Sequence, residues 1–178
     1  MSDWASEVLN FWFAQDPARW WEADTDFDAE VKEQFLALWE EQQQRPIEDF
    51  LHSADEAAAA VVLFDQLPRN MFRGHAKSFA TDHMALAIAR AAIDRGYDDG
   101  MDKDRRAFLY MPFEHSEDGR DQIRSIALFT ALGDSEYLRF ATQHQAVIER
   151  FGRYPHRNQM LGRTPRPDEI AAGDVFPW

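Results

Sequence analysis

The chain has 178 residues, 45% of them hydrophobic and 29% charged, which is material for one folded domain and not for a disordered tail. Its 32 acidic and 19 basic residues give a formal charge of −13, a surface that repels phosphate backbones and anionic bilayers, so neither nucleic acid nor membrane is expected as a partner. Cysteine is absent, which excludes disulfides, thiolate-bound zinc, iron–sulfur clusters and thiol catalysis.

Alanine occurs 25 times against 18 for valine, isoleucine and threonine together, so intrinsic propensity leans to helix. The segment Asp3–Ala14 is apolar nearly all round and should be buried. Its opening, Met1-Ser2-Asp3-Trp4, lacks the basic stretch of a secretory signal. No apolar run reaches the roughly 18–20 residues that span a bilayer, and a cytoplasmic, soluble protein is expected. Phe27, Val31, Phe35, Leu38 and Trp39 form one helical stripe. Ser53 with Glu56 reads as a capping box that starts a helix through Leu67, with Pro68 helping to end it. A helix from Asp82 to Arg95 turns Leu86, Ala89 and Ile93 inward and stops at Gly96. A short helix Lys103–Tyr110 precedes Pro112. Ser116 is expected to cap the next, with Ile123, Ile126, Ala127 and Thr130 on its inner face. Asp134 caps the last long helix, whose apolar stripe includes His144 and ends before Gly152; that histidine reads as a core residue.

No alternating strand or hairpin emerges, so the fold class is all-α. The elements pair as antiparallel hairpins, 27–43 with 55–68, 82–95 with 103–110 and 116–132 with 135–151, and no linker divides them, which gives a single domain over 1–178. The spacing is irregular, so any solenoid is degenerate. Five of the six tryptophans lie within the first 39 residues and read as core anchors. The Trp20-Trp21 pair and the Phe176-Pro177-Trp178 tail could dock on a second subunit in a homo-oligomer or fold back on their own chain.

Familiar catalytic signatures are missing: no Walker loop, G-x-S-x-G or H-E-x-x-H. The acidic alternation Asp98, Gly100, Asp102, Asp104 fails as a calcium loop because Leu109 stands where the bidentate glutamate belongs. Three polar segments remain. In Asp65-Gln66-Leu67-Pro68-Arg69-Asn70-Met71-Phe72-Arg73, Asp65 falls on the apolar stripe of Val61 and Val62, where a carboxylate needs a partner. Tyr110–Asp118 packs Glu114, His115, Glu117 and Asp118 together at an expected helix N-terminus. Residues 150–166 hold five arginines and no acid, while the rest of the chain carries −18; this stretch includes His156, Arg157, Asn158 and Arg163. Arginine forks suit carboxylate or phosphate.

These segments, V-L-x-F-W-F near the start, F-D-Q-L-P-R-N-M-F-R-G, F-L-Y-M-P-F-E-H-S-E-D and R-F-G-R-Y-P-H-R-N-x-x-L-G-R, resemble the bacterial family called domain of unknown function 924 over residues 4–172. The resemblance implies a tetratricopeptide-like α-α superhelix and no established activity. The motif positions it marks are Asp65, Arg69, Asn70, Arg73, Glu114, His115, Glu117, His156, Arg157, Asn158 and Arg163. The leading expectation is a binding module in which they line a pocket for an anionic small molecule or a peptide carboxylate. The alternative is a hydrolase-like or metal-dependent enzyme using His115, Glu117 and His156; its metal form takes Glu114, His115 and His156 as ligands. A third reading is a scaffold for a protein partner, in which the same carboxylates and arginines are a buried network pinning the C-terminal segment.

Overall fold

The computed structural model describes residues 3–177, so Met1, Ser2 and the Trp178 of the aromatic tail lie outside the described residues. The protein is all-helical, with no strand among the described residues. Among the described residues no helix is long and apolar enough to cross a membrane. The chain divides into two compact units, Met1–Leu109 and Tyr110–Trp178.

The N-terminal unit contains α1 (Asp3–Phe13), α2 (Thr25–Gln42), α3 (Ala54–Val61), α4 (Leu67–Met71), α5 (Asp82–Asp94) and the start of α6 (Lys103–His115). Helix α3 packs on α1 and α5, and α4 packs on α2. Only two of the five N-terminal tryptophans are buried core anchors: Trp12 meets Phe27 and Phe108, and Trp39 belongs with Phe27, Val31 and Phe35 to the buried stripe of α2, whereas Trp4 and Trp20 are half-buried and Trp21 is exposed. Trp20 donates its indole N–H to the Trp12 carbonyl, and Trp21 stacks on Phe108, so both rings fold onto their own chain. In α5 the inward face is Met84, Ala85, Ile88, Ala89 and Ala92, about one position round from the expected stripe.

Ser53 caps α3 as expected, but the helix does not end at Pro68. A π-helical turn, Val62–Gln66, joins α3 to α4, which carries Pro68 in its first turn. A proline here cannot donate to the carbonyl four residues back. That carbonyl, Phe64 O, instead accepts from the Thr81 hydroxyl at 2.7 Å, and Thr81 Oγ1 accepts from Trp39 Nε1 at 3.1 Å.

The C-terminal unit holds the end of α6, α7 (Gly119–Leu132), α8 (Ser135–Phe151) and the short α9 (Pro167–Ala172). Helices α7 and α8 form the expected hairpin, turned by Gly133 in the left-handed conformation (φ 77°). Three sequence expectations fail. Helix α6 runs through Pro112 to His115, which puts Glu114 and His115 in a last turn and not at a helix start; Asp118, not Ser116, caps α7. The buried face of α7 is Asp121, Gln122, Ser125, Leu128 and Phe129, while Ile123 is 66% exposed. Counting apolar residues misjudged this face because its inward groups are polar.

Candidate functional site

In the N-terminal unit, Asp65 is fully buried and has the partners its position demands. Gln66 Nε2 donates to it at 2.5 Å, and Arg69 both ion-pairs with its carboxylate at 3.3 Å and donates to its carbonyl. Arg69 also forms a bidentate pair with Asp82, at 2.9 and 3.1 Å. Asn70 and Arg73 converge on Asp28, at 2.8 Å and at 2.6 and 2.8 Å. That hydrogen-bonded pairing raises the Arg73 pKa further. Asp28 was not singled out from sequence, because an acid on a helix face carries no local signal of its distant arginine.

In the C-terminal unit the motif residues gather around Tyr154, a ring with no exposed surface. Its hydroxyl donates to the Glu114 carbonyl and accepts from Gln122 Nε2 at 2.9 Å. Burial pushes the Tyr154 phenol up, despite the nearby Arg157 charge. The His144 and His156 rings lie 5.7 and 5.6 Å from it, and the buried Arg157 guanidinium stands 4.5 Å over its face. His115 follows at 6.0 Å from His144, with its Nε2 3.8 Å from Glu114 Oε1. Burial holds the His144 imidazole down at about 3, reinforced by neighbouring His115 and opposed by the Phe140 carbonyl. Gln122 Nε2 also reaches the carbonyls of Glu114 and Ser116, at 2.8 and 2.7 Å, whereas its Oε1 and the Ser125 hydroxyl are buried without a hydrogen-bond partner.

The carboxylate beside His115 is thus Glu114, not Glu117. Both Glu117 oxygens are committed: Arg163 grips them at 2.7 and 3.1 Å, and the Tyr154 amide donates to Oε1 at 2.7 Å. Burial alone would raise the Glu117 pKa, but these donors bring it below the ordinary value. Arg163 also donates to Asn158 Oδ1, and Asn158 Nδ2 to Glu169, which Arg153 grips at 2.6 and 2.8 Å. Three donor residues, Glu114, His115 and His144, lie with their ligand atoms within 4.8 Å of one another. His144 thus takes the place that the sequence reading gave to His156 in a metal-ligating set.

A family model described as bacterial protein of unknown function (DUF924) matches residues 8–172. The chain belongs to the DUF924 family. A solved structure of a protein of unknown function from Agrobacterium tumefaciens is 38% identical to this DUF924 member, covers 94% of this chain and 95% of its own, and superposes with a TM-score of 0.89. No curated protein matches. The missed residues of the site are His144, Tyr154 and Gln122. Tyr154 sat inside a DUF924 motif, and His144 broke an apolar stripe, which was the one usable signal for it.

Proposed function

We propose that this DUF924 protein is a binding module whose C-terminal unit takes a small molecule bearing a carboxylate or phosphate. Arg157 supplies the fork and His115 and His156 the flanking donors. The observation that carries this reading is the gathering of His144, His156 and a buried arginine around one tyrosine, with His115 beside His144, in a chain otherwise strongly acidic. A buried guanidinium amid imidazoles is suited to an oxyanion by charge and by planar geometry. Arg69 and Arg73 lie in the N-terminal unit against Asp82 and Asp28, and Arg163 is bound to Glu117; none of the three enters the reading. The tetratricopeptide-like helix-pair scaffold and a cytoplasmic setting belong to the same proposal.

Isothermal titration with phosphate, citrate and short dicarboxylates tests it, backed by thermal shift. An anion present at about 100 times its dissociation constant adds ~2.7 kcal/mol, which at this chain length raises the midpoint by roughly 5–10 °C. Arg157→Lys keeps the charge and loses the fork, and should weaken binding at least about tenfold. Silence from every anion, or binding unchanged in Arg157→Lys, overturns the reading.

A further inference from the structure

The end of α6 and the middle of α8 bring together a donor set that shares only His115 with the donors named for the anion. We infer that Glu114, His115 and His144 form a site for one divalent transition-metal ion of the zinc or ferrous class.

Two imidazoles and one carboxylate are the nitrogen–oxygen set that such ions select, and the absence of cysteine leaves no thiolate competitor in the chain. His144 is oriented for the task. Its Nδ1 lies 2.9 Å from the Phe140 carbonyl. A carbonyl only accepts, so Nδ1 carries the hydrogen and Nε2 is the ring atom left to face the other donors. Imidazole ligands of metals are typically fixed in this way, with the second ring nitrogen bonded to a carbonyl or carboxylate. Glu114 is held from the other side: its own carbonyl accepts from Tyr154 Oη and from Gln122 Nε2, which pins the last turn of α6.

Geometry and access also fit. Donors around a zinc-sized ion at about 2.0–2.2 Å sit roughly 3–3.6 Å apart. His115 Nε2 and Glu114 Oε1 are already 3.8 Å apart, and the whole set lies within 4.8 Å, so closure needs side-chain movements of about 1 Å. Glu114 and His144 are buried, while the His115 side chain keeps 14% of its surface open and forms the approach. Three protein ligands leave coordination positions for water or an anion. The Arg157 charge bears on His144 and disfavours a dication there, and the Glu114 carboxylate opposes that effect. An anion bridging ion and guanidinium would satisfy both proposals, but the metal inference stands without one.

The test uses the full chain, stripped with a chelator and titrated with zinc chloride, cobalt chloride and, anaerobically, ferrous salt, in buffer free of phosphate and carboxylates. Expected are about one ion per chain by elemental analysis after dialysis, and visible d–d bands from cobalt that zinc displaces. Loss of outer-sphere partners alone costs about 10–100-fold in affinity, so His115→Ala and Glu114→Gln should each cost at least about 100-fold. His156→Ala should keep the ion. His115 is the approach residue, so its variant should fold; unchanged helicity by circular dichroism checks this, and His144→Ala adds a second ligand deletion. No zinc, cobalt or ferrous binding tighter than millimolar overturns the inference. So does an ion retained by folded His115→Ala and Glu114→Gln alike, or magnesium bound as tightly as zinc. Anion binding without metal binding would uphold the function proposed above and sink this site; metal binding without any anion would do the reverse.

Discussion

Arg163 holds both carboxylate oxygens of Glu117 across 46 residues of chain, and its second terminal nitrogen also donates to the Tyr154 carbonyl. The Tyr154 amide donates to the same carboxylate, so one ion pair fixes the backbone of the tyrosine on both its polar groups. The nonhelical segment after α8 depends on it. Bidentate, half-buried pairs of this kind contribute more than exposed ones, and truncating one partner leaves the other with its desolvation cost.

Arg163→Ala should therefore destabilise the protein by about 2 kcal/mol, lowering the melting midpoint by roughly 4–8 °C at this chain length. Hydrogen exchange should rise first in residues 153–172. Arg139→Ala, which removes an exposed pair with Glu136, should move the midpoint by less than about 2 °C. Equal effects in the two variants would show that the Glu117–Arg163 pair does not anchor the segment.

Much of the fold was legible because helix periodicity and caps are local. The α2 stripe, the Ser53 and Asp134 caps and the turn at Gly133 all follow from neighbours in sequence. Two of the failures share a cause: a distant group meets what the local rule left unexplained. Pro68 ought to stop a helix, yet beside it the Phe64 carbonyl accepts from the Thr81 hydroxyl. The inner face of α7 is polar because Gln122 bonds the end of α6 and Tyr154. His144 looked like core filling, and it is buried; what sequence could not show is that His115 and Glu114 come within reach of it.

The Phe64–Thr81 contact gives a second prediction. Thr81→Val removes the donor to Phe64 O and the acceptor for Trp39 Nε1, leaving two buried polar groups unsatisfied. The expected loss is about 2–4 kcal/mol. In a Pro68→Ala background the restored backbone N–H can serve the helix carbonyl, so the same Thr81→Val change should cost about 1 kcal/mol less. Urea denaturation of the four proteins in this cycle measures the coupling. Strict additivity would mean that the threonine does not compensate for the proline.

The third concerns acid. The hydrogen-bonded Arg153 guanidinium holds Glu169 at about 2, against 4.5 when unperturbed; the Arg166 amide and Asn158 assist. The folded pKa is therefore the lower one, and between the two values the unfolded chain binds a proton that the folded chain refuses. Stability from Glu169 is complete above about pH 5, declines as the pH falls through that interval, and is gone near pH 2. Glu169→Gln removes the charge at every pH, so its melting midpoint should lie below that of the parent at neutral pH and converge with it only near pH 2. A gap already closed at pH 4 would mean that Arg153 leaves the carboxyl with its ordinary affinity for protons. The bidentate geometry at 2.6 and 2.8 Å would then contribute position without charge stabilisation.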